Sequence, residues 1–323
     1  MTKFGYTLMT EQSDPKSLVE FAVQAEQVGF DFEVSSDHYF PWLDSMGHAP
    51  NAWVTLGAVA HATERVELMT YVTCPTIRYH PAVVAQQAAT LGLISDGRFL
   101  LGLGSGENLN EHVVGRGWPA AAVRTEMLSE SVDIIRKLFT GEYVEHKGEH
   151  FRVVGGKLWD VPATPPQIGI AVSGPLSCML AGEKADAMIA VEPKASLGEQ
   201  FDEAGGRGKP RIGQLPISYG TDRDAAIDRA HDLFRWFGGG WKVNADLPGT
   251  AGFDAASQFV TKDDVADSIP CGSDVGAVVE AVRAFTDAGF THVALVQIGG
   301  THEQQDPFFE WSQHELLPAL REL

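Results

Sequence analysis

Cysteine is scarce in this chain of 323 residues. There are three, Cys74, Cys178 and Cys271. They lie far apart, and no pair has CxxC or metal-ligand spacing. That excludes a disulfide-stapled module, and the odd, sparse count reads as reduced thiols in a cytoplasmic protein. Long apolar runs are absent too. No stretch of about 18 apolar residues is available to span a bilayer. The opening segment MTKFGYTLMTEQ has no apolar run behind Lys3, so no signal peptide is expected. Cations are the third shortage. Lys plus Arg is 24 against 43 Asp plus Glu, a formal net charge of −19. Long-range repulsion makes such a chain a poor generic partner for nucleic acid or anionic membrane. It is awkward for any anionic ligand as well. The GxSxG elbow and the Walker loop are missing. His112, His146, His150, His231 and His302 show no metal-ligand pattern, so no metal is expected.

Core-forming residues are plentiful. Hydrophobic residues make up 44% and charged residues 21%, enough for a packed interior and against wholesale disorder. The length suits one large α/β domain or two ordinary ones. Short apolar runs alternate with helical periodicity. Strands are expected at Phe4 to Met9, Phe32 to Ser35, Val66 to Val72, Phe99 to Leu103, Gln167 to Val172, Ala187 to Val191, Arg211 to Ser218 and Thr291 to Gln297. Asp14 and Pro15 open the first helix, Leu18, Phe21, Ala22, Ala25 and Val28 give it one apolar face, and Gly29 stops it. Further helices are expected at 51–62, 81–93, 123–138, 174–184, near 197–204, 225–237, 275–288 and 308–320. An inserted hairpin is expected at Tyr143 to Val153. Eight β segments with intervening helices argue for a parallel sheet. Polar, site-like residues follow many strands rather than one switch point, so a closed (β/α)8 TIM barrel is favoured over a doubly wound sheet. No linker or composition break divides the chain, and residues 1–323 are expected to form one domain.

The motifs gather after the strands. Leu101 to Glu107 (LGLGSGE) is glycine-rich, but Glu107 stands where a dinucleotide fingerprint needs its last glycine, and a carboxylate there repels a pyrophosphate. The glycines suit the close approach of a flat ligand. Glu107 is then either a site carboxylate or a helix N-cap acid. Ser36 to Trp42 (SDHYFPW) places His38 in an aromatic loop after the second strand. His38 is a candidate general base, or a structural histidine bonded to its own loop. Thr70 to Thr76 offers small polar residues that could line a pocket. At Ser173-Gly174-Pro175, backbone N–H groups at a helix start are able to hold a phosphate; an ordinary turn is the alternative. Lys194 is one of few cations in a top loop, or else a solvated surface lysine.

Taken together, Thr10-Glu11-Gln12, Ser36 to Trp42, Gly47-His48-Ala49-Pro50 and Gly104 to Glu111 resemble the luciferase-like flavin and deazaflavin oxidoreductases. Within them the chain is similar to the branch of F420-dependent glucose-6-phosphate dehydrogenase, from Phe4 to the C-terminus. The resemblance implies a TIM barrel, coenzyme F420, a small-molecule sugar or alcohol substrate and a homodimer. His38 matches the catalytic base, Trp42 the aromatic residue beside the transferring carbon, and Glu107 the carboxylate near the deazaflavin. Asp37, Cys74, Gly106 and Asn110 match cofactor contacts. Tyr71-Val72 matches a non-prolyl cis peptide behind the ring. Ala171, Val172, Ser173 and Gly174 match the phosphate-holding turn. Glu11 orients the base or the substrate.

The likeness breaks at the substrate phosphate. That branch clamps it with a Thr, two Lys and an Arg. Here Val191 stands for the Thr, Lys194 keeps one Lys, Asn244 stands near the other with Lys242 close by, and Ser268 stands for the Arg. A serine cannot replace a bidentate arginine on a phosphate. The expectation is therefore a dehydrogenase of an unphosphorylated sugar or other secondary alcohol. A glucose-6-phosphate dehydrogenase, an FMN- or F420-dependent monooxygenase or reductase, and a non-catalytic cofactor-binding barrel are the alternatives.

Overall fold

A computed structural model of the chain describes residues 2–323. The strand segments form where short apolar runs, β-branched in part, are bounded by turns. They are β1 (Lys3–Leu8), β2 (Phe32–Ser35), β3 (Glu67–Thr70), β4 (Phe99–Leu103), β5 (Val144–Lys147), β6 (Arg152–Gly156), β7 (Gln167–Ala171), β8 (Ala187–Ala190), β9 (Arg211–Ile217) and β10 (His292–Gln297). All but β5 and β6 pair in parallel and close into a barrel in the order β1-β2-β3-β4-β7-β8-β9-β10. Residues β5 and β6 make the expected antiparallel hairpin. The eight barrel strands are those expected from the apolar runs.

Alternation along each strand divides the core in two. Val34, Met69, Ile189, Ile212 and Ala294 point into the barrel and pack there. Tyr6, Leu68, Leu101, Ile170, Met188 and Leu295 point outward and pack under the helices. The helices are α1 (Pro15–Val28), α2 (Ala52–Ala62), α3 (Pro81–Ile94), α4 (Asn108–Glu111), α5 (Ala121–Leu138), α6 (Pro175–Lys184), α7 (Ala195–Phe201), α8 (Arg223–Phe234), α9 (Trp241–Asn244), α10 (Thr250–Ser257), α11 (Lys262–Ser268), α12 (Val275–Asp287), α13 (His302–Trp311) and α14 (Leu317–Leu320). Asp14 caps α1 as expected, its carboxylate accepting the N–H groups of Lys16 and Ser17.

Two stretches differ from expectation. Instead of beginning after Pro307, the last helical stretch begins at His302 with Pro307 inside α13. Thr301 and Gln304 cap its start reciprocally, and Gln305 anchors it by donating to the carbonyls of Gln297 and Gly299. Those contacts hold the helix through the proline. Between β9 and α12 the chain builds α9, α10 and α11, too short and glycine-punctuated to show a period. Trp236, Phe253, Val265 and Ile269 from this region pack with Met9, Trp42, Leu43 and Leu109. The insertion is thus seated on the loops at the C-terminal ends of β1, β2 and β4. Among the described residues, no helix is long and apolar enough to cross a membrane.

Candidate active site

The loops after β1, β2, β3 and β4 hold a cluster of buried polar side chains. His38 stands at its centre. Its Nδ1 lies 3.0 Å from the carbonyl of Phe40. A carbonyl only accepts, so Nδ1 carries the proton and Nε2 keeps its lone pair when the ring is neutral. Glu11 Oε1 is 3.3 Å from Nδ1 and Glu107 Oε2 is 3.4 Å from Nε2. The second gap is too long for a strong hydrogen bond, which leaves the Nε2 lone pair available.

Glu11 is held from behind. Its Oε2 accepts from Ser36 Oγ at 2.5 Å and from Thr10 Oγ1 at 3.2 Å, while Oε1 is buried with no hydrogen-bond partner. The Gly47-His48 motif closes on the same segment, since the His48 N–H donates to the Glu11 carbonyl. Glu107 stands at the N-cap of α4, as one reading expected, yet its side chain makes no capping bond. Its Oε2 accepts from Asn110 Nδ2 at 3.0 Å. Asn110 Oδ1 in turn accepts from the N–H groups of Tyr39 and Phe40 at 2.8 and 3.2 Å. Asn110 therefore joins the histidine loop to the glutamate. Burial pushes the Glu107 carboxyl up, and the nearby Glu11 adds to this, against the pull of His38 and the Asn110 hydrogen bond.

Trp42 lies against the His38 ring, with centroids 4.7 Å apart. It stacks almost parallel on Trp236, at 4.0 Å and 8°, and Phe253 meets it edge-on at 5.1 Å. One wall of the site is therefore aromatic and apolar.

The glycine-rich stretch has a steric reason. A Cβ on Gly102 would sit 1.9 Å from the Thr70 carbonyl, and one on Gly104 would sit 2.6 Å from Val72 Cγ2. The strand and the bend after β3 touch here. The Tyr71–Val72 peptide is cis. Gly106 has a φ of +88°, and a Cβ there would meet Cys74 Sγ at 2.5 Å. Cys74 is buried, its sulfur 3.0 Å from Thr76 Oγ1. Tyr71 donates its hydroxyl to the Ala190 carbonyl, and burial pushes its phenol up.

Other expected site residues are placed differently. Both Asp37 carboxylate oxygens are engaged within the protein, with Thr73 Oγ1 at 2.7 Å and Arg78 Nη2 at 3.1 Å. At the turn before α6, Ala171 and buried Val172 lead into Ser173 and Gly174. The N–H groups of Ser173 and Gly174 were expected to be free. They are not, because Ser177 Oγ accepts both at 3.0 and 3.2 Å. Lys194 is exposed and paired with Glu192 at 2.9 Å. Lys242 is exposed on α9. Asn244 is buried and donates to the Trp236 carbonyl at 3.4 Å. Ser268 is exposed at the end of α11 and bonds back to Asp264 of its own helix. Among the described residues, no hydrogen bond or ion pair links these four. No cluster of three His, Cys, Asp or Glu able to hold a metal is found among them either.

Four side chains of this region have no role in the sequence reading. Trp236 falls near the end of the helix expected at 225–237, and Phe253 belongs to the unassigned stretch after it. Arg78 and Glu111 form a buried pair beside Asp37, and burial pushes the Glu111 carboxyl up to about 7 against the pull of Arg78. A signal for both was present. Arg78 is a rare cation in a loop after a strand, and Glu111 lies one helical turn beyond Glu107.

The comparisons with known proteins agree with this fold. The family model of luciferase-like monooxygenases matches residues 1–292. An F420-dependent glucose-6-phosphate dehydrogenase of Amycolatopsis mediterranei (strain U-32) is 35% identical, with 100% of both chains covered. A protein of the same name from Nakamurella multipartita is 37% identical, covering 99% of this chain and 97% of that one. The solved structure of an F420-dependent secondary alcohol dehydrogenase, in complex with an F420-acetone adduct, is similar at a TM-score of 0.91 and 27% identity, with 99% of each chain covered. A coenzyme F420-dependent tetrahydromethanopterin reductase from Methanopyrus kandleri shares the fold at a TM-score of 0.77 and 20% identity, again over 99% of each chain. A TIM barrel with its polar cluster at the strand ends, matched over its whole length by such relatives, belongs to the luciferase-like monooxygenase family.

Proposed function

We propose that the chain is an F420-dependent dehydrogenase that oxidises the CH–OH group of an unphosphorylated sugar or other secondary alcohol. One observation carries the reading. His38 has Nδ1 tied to a backbone carbonyl and turns its Nε2 lone pair toward the partly buried Glu107, beside an aromatic wall. Relatives named as F420-dependent dehydrogenases support the cofactor, and the secondary alcohol dehydrogenase supports the substrate class.

The residues present fit a deazaflavin. Gly104 packs directly on Val72 and Gly106 on Cys74, which fixes the bend at Tyr71-Val72 that would back a flat ring. Tyr71, Val72, Cys74, Gly106 and Asn110 would hold the ring, and the turn Ala171 to Gly174 would receive the phosphate of the tail once the Ser173 and Gly174 N–H groups leave Ser177 Oγ. No Cβ-sized obstruction lies beside Gly174, so the tail has room there despite the Ser177 cap. When bound, F420 supplies the acceptor for the hydride that leaves the alcohol carbon. His38 takes the hydroxyl proton on Nε2, and the Phe40 carbonyl keeps its ring oriented for that transfer. Glu11 beside Nδ1 favours the imidazolium that results. Trp42 lends its ring face to the same cation. Glu107 holds a proton to a higher pH than a solvated carboxyl does, because its charged form is desolvated.

The phosphate argument rests on four positions. Lys194 faces Glu192, Lys242 is exposed, Asn244 supports Trp236, and Ser268 is turned onto its own helix. A desolvated phosphate needs charge-assisted donors, and these offer little. The stacked Trp42–Trp236 pair suits an apolar or weakly polar alcohol.

A homodimer is proposed on the helix faces. Along α2, Trp53, Leu56 and Val59 are buried while Val54 is 75% exposed. On α3, Val83, Leu93 and Ile94 are exposed as well. Helices apolar on both faces are normally covered on both.

The test is a panel of sugars, sugar phosphates and alcohols, followed by loss of oxidised-deazaflavin absorbance. The reading expects free alcohols to give the highest kcat/KM. Glucose-6-phosphate ahead by orders of magnitude overturns it.

A further inference from the structure

We propose that Arg78 is a positioning residue for this reaction. Its buried guanidinium bonds to the loop carrying His38 and its backbone N–H to the helix whose N-cap is Glu107, so that one residue sets their spacing. The inference rests on the reading of His38 and Glu107 given above.

Arg78 lies in the loop after β3, between the loop after β2 and the helix after β4. Its Nη2 donates to the Asp37 carbonyl at 2.7 Å and to Asp37 Oδ1 at 3.1 Å. Asp37 immediately precedes His38, so the first bond fixes the peptide that leads into the histidine. On its other side, the Arg78 backbone N–H donates to Glu111 Oε2 at 2.6 Å, and its Nε faces Glu111 Oε1 at 3.5 Å as an ion pair without a hydrogen bond. Glu107 is the N-cap of α4, and its carbonyl accepts the Glu111 N–H at 3.1 Å, so the two are joined across the single turn. The side chains of Arg78, Asp37 and Glu111 are 8%, 0% and 1% exposed. The bonds of Arg78 end on Asp37 and Glu111, so it acts through them.

Helix α4 has four residues and cannot hold itself. Its anchors decide where Glu107 stands. Asn110 bonds to the backbone of Tyr39 and Phe40, just beyond His38. Arg78 grips Asp37, just before it. The histidine is thereby bracketed, and both brackets end on α4. Stability alone gives no reason for this arrangement. Burying a guanidinium and two carboxylates is costly, and well-packed apolar side chains of equal volume often serve stability as well or better. A guanidinium does offer a planar fork with several donors at fixed angles, which suits fixing two loops at once. Lysine, with a point charge on a flexible stem, does not.

The test begins with cofactor-free protein and hydrogen–deuterium exchange. In R78K, which keeps the charge and loses the fork, segments 36–42 and 107–112 should lose protection together, by about tenfold, while other segments keep theirs. With the deazaflavin and the best alcohol of the panel, kcat should fall about ten- to a hundredfold and the alcohol KM should stay within about threefold, as misplacement rather than lost binding requires. E111Q keeps an acceptor for the Arg78 N–H and removes the charge facing Nε. It should show the same pattern more weakly, and it carries the test if R78K does not fold. Wild-type protection in both segments overturns the proposal, as does loss of protection across the whole chain or an unchanged kcat. Should H38A turn over normally, the reading of His38 falls, while the exchange pattern still decides whether Arg78 joins the two segments.

Discussion

The two halves of the barrel present different kinds of polar group at their C-terminal ends. In the β1–β4 half, Glu11, Asp37, His38, Arg78, Asn110 and Glu111 are buried or nearly so, and all but His38, which is tied to its own loop, are bonded to a neighbouring loop. In the β7–β9 half, Ser173, Lys194, Lys242 and Ser268 are exposed, and those with a bonded partner find it within a few residues. The first arrangement is set before any ligand arrives and suits proton transfer, which tolerates little misplacement. The second is adaptable and suits recognition. The motifs behind the family resemblance lie in the interlocked half, and the positions expected to depart from a phosphate clamp lie in the other.

The comparison breaks first at His38. H38A should lower kcat by about 10²–10⁴-fold, the usual contribution of a general base, with F420 affinity nearly unchanged. Fluorescence titration set beside steady-state kinetics checks this, and equal loss of both would make His38 a structural residue. Glu111 gives the next effect, on stability. Its carboxyl is raised from 4.5 to about 7 by burial. A raised carboxyl binds its proton more tightly when folded, so its contribution is fully present below the unfolded pKa and is lost as pH rises through about 7. Relative to E111Q, the wild type should therefore lose stability between pH 4.5 and pH 7, by a few kcal/mol at most. Urea melts at several pH values measure it, and a constant difference would sink it. At Trp236, replacement by alanine should raise kcat/KM for bulky over small alcohols by about tenfold. An unchanged ratio would remove Trp236 from the substrate wall. Smallest is K194A. An exposed lysine paired with Glu192 should matter within about twofold for unphosphorylated alcohols. A large rise in KM would move Lys194 into the site and blur the contrast between the halves.

Much of this was legible in advance, and for local reasons. The eight barrel strands, the Asp14 cap and the hairpin follow from short-range pattern. His38, Glu107 and Asn110 stood out as polar residues at strand ends. The insertion after β9 was not legible, because α9 to α11 are held by packing on Trp42 and Leu43 rather than by their own periodicity. Pro307 misled for the reverse reason, since tertiary anchors at Gln305 overrode a local rule. The backbone amides at Ser173 and Gly174 looked free because a cap from Ser177 is visible only when the turn is built.

The opening shortages keep a narrower meaning. Few cysteines, no long apolar run and an excess of acid argued against a disulfide-stapled module, a membrane-crossing helix and generic anion binding, since those depend on composition. Period and turn chemistry determined the barrel, since they act between residues close in the chain. Which carboxylates face His38, and which of the few cations is buried among them, only the tertiary structure decided. Asp37, Arg78 and Glu111 are separated by 33 residues or more from one pair member to the next. Long-range pairing of charge follows from closure of the barrel, and no local pattern records it.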